Sequence, residues 1–598
     1  MLDSLNKLKR SHYCGDLRPK NVGESVILMG WVHRRRDFGP LIFIDLRDRE
    51  GIVQIVLDAE KNPAAHGRAG ELRNEYVIAV AGKVVARNKE TVNPNLKTGE
   101  IEVVASELYI LNTARTPPFE IEGAKANEEV RLRYRYVDLR RARMQQNIRL
   151  RHRAALTVRR YLDQHGFCEI ETPMMIKSTP EGARDYVVPS RLVAGDFYAL
   201  PQSPQIFKQL LMVAGYDKYF QIVRCFRDED LRADRQPEFT QIDIEMSFIQ
   251  PEDLFRVMEP MMVELAALAG FAAELPFPRL SYADAMRRFG SDKPDTRYGM
   301  ELIDLSGLLA GTEFTAYRAA LESGGEVKAI NVTGGAKYSR KVLDELADIA
   351  KRLGAGGMAW AKIGEGGEIT SSLAKALGEE KLAQLTQSAA CRPGDALVLI
   401  AGKPAVVSAA LNAIRSTVAE REGLIDPASF NFLWVTDFPM FEYHEEDGRF
   451  YPMHHPFTSP RDEDLEILKT NPAAVRAKAY DLVLNGVELG SGSIRIHSRD
   501  LQRRVFQALG MSDEEARNRF GFLLDALEYG TPPHGGIAFG FDRLVMLLAR
   551  ENSIREVIAF PKSTSAADLM TGSPGPISEQ QLRELHLKIV RDQKESAE

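Results

Sequence analysis

The stretch Gly490-Ser-Gly-Ser-Ile-Arg495, followed about forty residues later by Gly536-Ile-Ala-Phe-Gly-Phe-Asp-Arg543, decides the fold of this chain. The first stretch predicts a glycine-rich strand. The second predicts a glycine-rich turn that places Arg543 at the start of an apolar helix. Glycines let backbone approach a ligand closely, and a helix N-terminus favours phosphate. Neither stretch has the spacing of a Walker loop or a dinucleotide fingerprint. Taken alone, the second stretch is equally compatible with a structural bend.

Length and composition limit the class of protein. A chain of 598 residues predicts roughly three or four domains. Its composition is that of a soluble globular protein, and no apolar run reaches the roughly twenty residues that span a bilayer. Four widely spaced cysteines favour reduced thiols, so we expect a cytoplasmic protein without membrane contact.

Charge is unevenly distributed along the chain. The net charge of −6 argues against a histone-like DNA binder. Residues 1–36, however, carry eight Lys or Arg against three acids. A basic end on an acidic protein is compatible with a localised nucleic-acid contact, with a solvated surface as the alternative.

Residues 15–112 show five short β-runs separated by turns, which predict a small barrel of the OB-fold type. A helix-like stretch over 64–73 falls between the third and fourth runs, where such a barrel carries its helix. The predicted strands are Ser25–Val32, Leu41–Leu46, Ile52–Leu57, Tyr76–Val85 and Ile101–Leu111.

Changes of texture define the other segments. Helical periodicity over 148–165 is followed by alternating β-runs, and a Gly- and Ala-rich stretch then predicts an inserted module. The last residues, 575–598, predict a short amphipathic helix. We therefore predict a multidomain α+β protein with an OB-fold barrel at 1–112, a linker at 113–140, an antiparallel-sheet domain at 141–285 and 426–560, an inserted α+β domain at 286–425 and a C-terminal extension at 561–598.

Two further segments carry polar chemistry. Gly166–Pro173 predicts a helix end that runs into a strand closed by proline. Arg224–Glu245 predicts a strand with Arg227, a charged loop and a second strand in which polar residues alternate with isoleucine. Period-two alternation places Gln241, Asp243 and Glu245 on one face. Acids in this pattern predict a polar cavity over a sheet, with a surface hairpin as the alternative.

In this order, the three segments resemble the three motifs of class II aminoacyl-tRNA synthetases. The match narrows to the bacterial aspartyl-tRNA synthetase family through Thr179–Tyr186, Ala199–Lys208, Met453–Thr458 and the strand around Glu488. The resemblance covers essentially the whole chain, including the insert, which the similar asparaginyl family lacks. It implies a homodimer that attaches L-aspartate to tRNA(Asp) through an aspartyl-adenylate, which is made from ATP with Mg²⁺. Whether tRNA(Asn) is also a substrate stays open.

The activation reaction brings an amino-acid carboxylate to the α-phosphate of ATP, so positioned cations are needed and no protein nucleophile is required. Arg227 fits a clamp on the carboxylate and α-phosphate, and Arg543 fits the γ-phosphate. The resemblance makes Asp481 and Glu488 ligands of Mg²⁺, which prefers such hard oxygens. It implies a catalytic set of Arg227, Glu488 and Arg543, and an ATP site that adds Asp228, Glu229, Gln236, Phe239, Gly540, Phe541 and Asp542.

A pocket for aspartate needs two cations aimed at one carboxylate, because an amide would leave a buried charge unpaired. Lys208 and Arg495 match the family positions for these cations, and Asp243 and His454 are expected to orient them. The aspartate-binding residues that the resemblance implies are Glu181, Ser203, Gln205, Lys208, Arg227, Asp243, His454 and Arg495.

The barrel combines arginines with aromatic residues, which suits the reading of a single-stranded RNA loop. By resemblance, Arg36 and Phe43 contact the anticodon, and Gln54 and Glu102 read base edges. The alternative for Phe43 is the barrel core. Phe38 and Glu90 occupy two positions linked to tRNA choice in the family, and neither fits the pattern of strict relatives. We therefore favour charging of both tRNA(Asp) and tRNA(Asn).

Two rival functions are weighed against this one. An RNA-binding protein with an inactive synthetase domain would have lost Arg227, Glu488 or Arg543, and all three are present. A tRNA-independent amino-acid ligase would need no anticodon barrel, whereas residues 15–112 predict one.

Overall fold

The computed structural model describes residues 2–5, 7–123, 126–178, 183–229 and 234–590. The chain divides into two compact units, 1–151 with 555–576 and 152–554 with 577–598. The six predicted segments are finer than this division, and their boundaries stay a prediction. No helix within the described ranges is long and apolar enough to cross a membrane.

The first unit contains a closed five-stranded barrel. Its elements are β1 (Ser25–Asp37), β2 (Leu41–Arg47), β3 (Ile52–Asp58), α1 (Pro63–Ala69), β4 (Val77–Ala86), β5 (Ile101–Asn112), α2 (Glu128–Arg133) and α3 (Arg135–Asp138). The strand order is β1-β2-β3-β5-β4, and only β3 and β5 pair in parallel. Alternate residues of β1 are buried, which fills the barrel with apolar side chains. The predicted OB-type barrel is confirmed, with its helix between the third and fourth strands.

The second unit begins with the elements that precede the insert. These are α4 (Ala142–Gln164, which starts in the first unit), β6 (Cys168–Glu169), β7 (Val187–Pro189), β8 (Phe197–Ala199), α5 (Gln205–Val213), β9 (Lys218–Phe226), β10 (Glu238–Ser247), α6 (Pro251–Leu268), β11 (Arg279–Ser281) and α7 (Tyr282–Phe289). β7 and β8 form a separate hairpin.

The insert has its own five-stranded antiparallel sheet in the order β12-β13-β16-β14-β15, with apolar clusters packed against it. Its elements are β12 (Ile303–Asp304), α8 (Thr315–Glu322), β13 (Glu326–Val332), α9 (Arg340–Arg352), β14 (Ala359–Ile363), β15 (Ile369–Ser371), α10 (Ala374–Ser388), β16 (Ala396–Gly402) and α11 (Pro404–Arg421). An α+β module therefore interrupts the large sheet.

After the insert the chain returns to that sheet. The elements are β17 (Phe432–Thr436), β18 (Phe441–His444), β19 (Arg449–Pro452), β20 (Ala479–Leu484), β21 (Val487–Ile494), α12 (Arg499–Ala508), α13 (Asp513–Ala526), β22 (His534–Gly540), α14 (Phe541–Leu548) and α15 (Glu579–Glu584). The predicted tail helix is limited to α15 among the described residues, and 591–598 lie outside them.

The large sheet has eight strands in the order β11-β17-β20-β21-β22-β10-β9-β6. Its central pairs are antiparallel, and only the two outer pairs, β11 with β17 and β6 with β9, are parallel. The predicted antiparallel-sheet domain is confirmed. β10 lies between β9 and β22, so its polar residues lie in the middle of the sheet.

A buried ionic network in the first unit allows a test of its stability. Asp138 is fully buried and accepts hydrogen bonds from Arg131 at 2.8 Å and Arg135 at 2.6 Å. Arg131 also contacts Glu556 at 2.7 Å, which joins the two segments of this unit. Removing one partner of a buried pair leaves charges uncompensated, at a typical cost of about 3–5 kcal/mol.

We predict that Asp138→Ala lowers the free energy of local unfolding around residues 128–141 and 554–560 by about 3–5 kcal/mol. Hydrogen exchange of the peptides from these two segments measures it. Lys61→Ala, which removes a surface pair with Asp58, is the control and should leave the exchange of both segments unchanged. Equal protection in both variants would contradict the prediction.

Candidate active site

A cavity of about 600 Å³ opens over the large sheet in the second unit. Its walls come from β10, β21 and β22, from the first turns of α5 and α14, and from loops that include Arg227 directly after β9. Gln241 and Asp243 of β10 line it, as their alternation predicts. The cavity therefore joins segments that are widely separated in the sequence.

Four buried charged residues, which we call the charge quartet, form one part of this site. Lys208 Nζ lies 3.1 Å from Asp243 Oδ2 and 3.2 Å from Glu245 Oε2. Arg495 binds Glu245 through two parallel hydrogen bonds, Nε to Oε1 at 2.9 Å and Nη2 to Oε2 at 3.1 Å. All four residues are 2% exposed or less. Since an unpaired buried charge is costly, each member depends on the others.

The pKa values of the two carboxylates follow from this arrangement. Burial raises the pKa of Asp243 to about 6, and the charge of Lys208 opposes the rise. Burial acts on Glu245 too, but Arg495 and Lys208 hold the pKa of Glu245 below its usual value. Both carboxylates are therefore ionised at pH 7, and the charges of the quartet balance.

Glu245 is a site residue to which the sequence prediction gives no role. The signal was its place as the third polar residue of the alternating strand. Gly536 lies opposite Glu245 in the sheet, and a Cβ on Gly536 would lie 2.1 Å from Glu245 Oε2. The glycine of the deciding stretch thus makes room for a buried carboxylate, whereas the sequence predicts a close approach to a ligand.

Two adjacent histidines have different partners. The sequence predicts that His454 orients the cations, but it is His455 Nε2 that accepts from Arg495 Nη1, at 2.6 Å. Burial and then the charge of Arg495 hold the pKa of His455 well below its usual value, so its ring is neutral. His454 lines the cavity and lies 3.3 Å from Asp481. Burial acts to lower the pKa of His454, but the hydrogen bond with Asp481 outweighs burial, so the pKa of His454 is raised above its usual value.

A hydrogen-bonded chain behind the cavity fixes the amide of Gln205. His534 Nδ1 lies 2.8 Å from the carbonyl of Pro532, so this nitrogen carries the proton of the neutral ring. His534 Nε2 then accepts from Gln209, whose oxygen accepts from Gln205 Nε2 at 3.1 Å. Gln205 lines the cavity. Because its Nε2 donates to Gln209, its Oε1 remains available to accept a hydrogen bond from a ligand in the cavity. Gln209 and His534 have no role in the sequence prediction.

Two arginines supply positive charge elsewhere in the cavity. Arg227 lies over the ring of Phe239 with its guanidinium 5.2 Å from the ring centre. Arg543 donates to the carbonyl of Glu488 at 2.6 Å and to Asp234 at 3.1 Å. The Nε atoms of both arginines are buried and have no hydrogen-bond partner among the described residues. Buried donors in a cavity wall are suited to binding an anion.

Asp481 and Glu488 lie on the adjacent antiparallel strands β20 and β21. Burial raises the pKa of Glu488, and the negative charge of Asp481 raises it further. A hard divalent cation would relieve this repulsion, so the pair fits Mg²⁺. No cluster of three or more His, Cys, Asp or Glu residues with metal-binding geometry occurs in the described part of the chain, so phosphate oxygens and water would complete the coordination.

Most of the predicted site residues meet in this cavity. Those that line it are Ser203, Gln205, Lys208, Arg227, Glu229, Gln236, Phe239, Asp243, His454, Glu488, Arg495, Gly540, Asp542 and Arg543. Asp228, Asp481 and Phe541 are not part of its wall, and Phe541 is buried behind it. Glu181 lies outside the described residues. Asp542 accepts a hydrogen bond from the backbone of Thr240, which ties α14 to β10.

The predicted anticodon residues form a polar network on the barrel. Arg36 donates to Asp45 at 2.7 Å and to Gln54 at 3.1 Å, and Gln54 donates to Glu102 at 3.0 Å. Phe43 is half-buried and is not part of the barrel's apolar core. Its ring lies 6.0 Å from the guanidinium of Arg36. An aromatic face next to a cation is suited to stacking on a base.

The two residues linked to tRNA choice are exposed. Phe38 is 66% exposed, and its ring packs edge-on against Phe43 at 5.8 Å. Glu90 lies in an exposed turn before β5. Phe38 is therefore part of the same barrel surface as Phe43, and the described contacts do not assign Glu90 a partner.

Two family models match the chain: tRNA synthetases class II (D, K and N) over residues 127–564, and an OB-fold nucleic acid binding domain over residues 26–111. The aspartate–tRNA ligase of Geobacillus kaustophilus (strain HTA426) is 56% identical over 591 residues, which cover 98% of this chain and 100% of that protein. The aspartate–tRNA(Asp/Asn) ligase of Geobacillus sp. (strain WCH70) is 56% identical over 590 residues, with 98% and 99% covered.

A solved structure shares the fold. The asparaginyl-tRNA synthetase of Pyrococcus horikoshii, in complex with asparaginyl-adenylate, has a TM-score of 0.58 at 19% identity, with 93% of this chain and 98% of that chain covered. The family model spans most of the chain, and the relatives match nearly its full length. The chain therefore belongs to the class II tRNA synthetases of the D, K and N group.

Proposed function

We propose that this protein joins L-aspartate to tRNA through an aspartyl-adenylate made from ATP. The names of the relatives at 56% identity support aspartate as the amino acid. The charge quartet supports it on physical grounds. That Arg227, Glu488 and Arg543 line one cavity speaks against an inactive synthetase domain.

The hydrogen-bond donors of the quartet carry this proposal. Lys208 has three N–H donors, of which Asp243 and Glu245 occupy two. Arg495 has five, and Glu245, His455 and Ser493 occupy four of them. Among the described residues, one donor remains on each cation. Two donors suit both oxygens of a carboxylate, whereas the NH₂ group of asparagine would oppose one of them.

Acceptors for the ammonium group of aspartate lie nearby. Asp243 Oδ1 is buried without a hydrogen-bond partner among the described residues. Gln205, held by Gln209, directs its remaining oxygen to the same cavity. We infer that these two oxygens bind the substrate ammonium and orient the α-carboxylate towards Arg227. Glu181 and Ser203 stay predictions for the same group.

In the activation step, the α-carboxylate attacks the α-phosphate and pyrophosphate leaves. Arg227 offers donors to the carboxylate and the α-phosphate, while Arg543 offers them to the far phosphates. Both charges act on an anion that grows in the transition state, so neither residue needs to transfer a proton. Phe239 and Gln236 would hold the adenine. Mg²⁺, held by Asp481 and Glu488, would neutralise phosphate charge.

In the transfer step, a hydroxyl of the terminal adenosine of tRNA attacks the adenylate carbonyl and AMP leaves. The barrel network would bind the anticodon, since Phe43 offers a stacking face and Arg36 a cation. Glu102 accepts from Gln54 through Oε2, which leaves Oε1 to accept from the amino group of a cytosine. The homodimer and the cytoplasmic location stay predictions of the same proposal.

We predict that Arg227→Ala and Arg543→Ala each lower aspartate-dependent pyrophosphate exchange by at least about a hundredfold, because each removes transition-state charge stabilisation of about 3 kcal/mol or more. Arg224→Ala is the matched control, since Arg224 lies on β9, three residues before Arg227, is not part of the cavity wall and pairs with Glu238. Near-normal exchange in either site variant would refute the assignment.

We predict that Lys208→Ala raises the KM for aspartate far more than the KM for ATP, because one of the two carboxylate donors is lost. It should not allow efficient use of asparagine, since Arg495 keeps its remaining donor. Exchange kinetics with each amino acid decide this, with circular dichroism as the check on folding. An equally steep rise in the KM for ATP would place Lys208 in the nucleotide site.

We predict comparable aspartylation of tRNA(Asp) and tRNA(Asn), within about tenfold in kcat/KM, or about 1.4 kcal/mol. The anticodons GUC and GUU differ in one pyrimidine, and a single contact from Glu102 is worth only about 1–3 kcal/mol. Relatives of equal identity carry both kinds of name, so identity does not decide it. Aspartylation of the two unmodified transcripts, measured in parallel, decides between the two specificities. A preference of about a hundredfold for the GUC anticodon would exclude charging of both tRNAs.

A further inference from the structure

Lys293 lines the active-site cavity, but the sequence prediction gives it no role. It lies in the loop between α7 and β12, where the chain enters the insert. Lys293 shares the cavity wall with Glu488 and Arg543. A lysine in this place offers a point charge to a phosphate chain. The position of Lys293 depends on the loop that carries it, which we call the entry loop.

The entry loop packs against the turn that leads to Glu488. This turn joins β20 to β21 at Asn485 and Gly486, and Gly486 also lines the cavity. A Cβ on Gly486 would lie 3.1 Å from the Cβ of Asp295, two residues after Lys293. Since Gly486 has a φ of +82°, a larger residue would be strained there as well. The loop and the turn are thus in close contact.

The chain that leaves the insert is bound to the same turn. Asn485 Oδ1 accepts from the backbone of Asn431 at 2.9 Å, and Asn485 Nδ2 donates to the carbonyl of Ser429 at 2.9 Å. Both connections of the insert therefore contact one turn of the catalytic sheet, two residues before Glu488.

Arg415 of α11 holds the entry loop from the side of the insert. It is fully buried, and its guanidinium donates to the carbonyl of Asp295 at 2.6 Å, to that of Tyr298 at 3.1 Å and to those of Gly299 and Met300 at 3.2 Å. Its guanidinium also lies 4.4 Å from the ring centre of Tyr298. Nε and Nη2 of Arg415 thus hold four carbonyls of this loop, which leaves the loop little freedom, while Nη1 has no hydrogen-bond partner among the described residues.

We propose that Lys293 is a further phosphate-binding cation of the nucleotide site, and that the insert holds it in place through Arg415. The proposal rests on the adenylate-forming function argued above. Its ligand is the polyphosphate of ATP before the reaction and pyrophosphate after it. Arg415 is a positioning residue, because it contacts the loop and the ring of Phe289 but does not line the cavity. On this view the insert completes the active site without supplying a second one.

The first experiment measures aspartate-dependent pyrophosphate exchange in the full-length chain. Lys293→Ala should raise the KM values for ATP and pyrophosphate about tenfold or more and leave the KM for aspartate within about twofold. Lys293→Arg should restore most of the loss, because it keeps the charge. Lys341→Ala, at an exposed lysine of the same insert, should change nothing. Unchanged KM values for ATP and pyrophosphate in Lys293→Ala would overturn the proposal. Absence of exchange in the unaltered protein would instead refute the proposed function.

The second experiment tests the role of Arg415 by non-additivity. Arg415→Met should raise the KM for ATP when Lys293 is present and have no further effect in Lys293→Ala. Effects that multiply in the double variant would show that Arg415 supports only the fold, and would overturn the second half of the proposal. Arg415→Lys replaces Arg415→Met in the same comparison if thermal unfolding shows that the latter is not folded.

Discussion

The bidentate pair between Arg495 and Glu245 is the constraint on which the rest of the site depends. Both side chains are buried, Glu245 on the inner strand β10 and Arg495 directly after β21, and an isolated charge there would cost several kcal/mol. Glu245 also contacts Lys208, so one carboxylate fixes the two cations that we assign to the substrate side chain. A buried ion pair contributes little net stability, but it fixes geometry. The selectivity proposed here requires that geometry before the substrate arrives.

The backbone around this pair is adapted to it. β22 pairs with β10 so that Gly536 lies opposite Glu245, and only a glycine at position 536 leaves room for the carboxylate. On β21, a Cβ on Gly490 would lie 2.4 Å from the ring of Phe539, so this strand too is glycine where the sheet is most crowded. The interior of the sheet thus explains Gly490 and Gly536. Arg495 and Arg543 follow them because the strands end at the cavity.

How much the sequence predicts depends on how local the signal is. Period-two alternation is a local signal, and it predicts the five barrel strands and the polar face of β10. The structure contains these strands and this face. The partner of Arg495 does not follow from a local pattern, because Glu245 is 250 positions away and its contact with Arg495 depends on strand order. His454 and His455 are adjacent in a loop without periodicity, so the sequence could not assign their partners. Resemblance supplied the site residues, and residues without a known role, such as Gln209 and Lys293, were missed.

The two parts of the cavity differ in how far their polar groups are satisfied, and this difference matches the two kinds of ligand. The amino-acid part is nearly saturated, with one donor left on Lys208 and one on Arg495, as selection of a small carboxylate requires. In the nucleotide part, the buried Nε atoms of Arg227 and Arg543 have no hydrogen-bond partner among the described residues. A polyanion needs an excess of cations more than it needs a fixed shape. A surface loop can therefore add positive charge to the nucleotide part of the cavity without disturbing specificity. An insert can supply a cation there. In the amino-acid part, an added cation would disturb the balanced charges of the quartet.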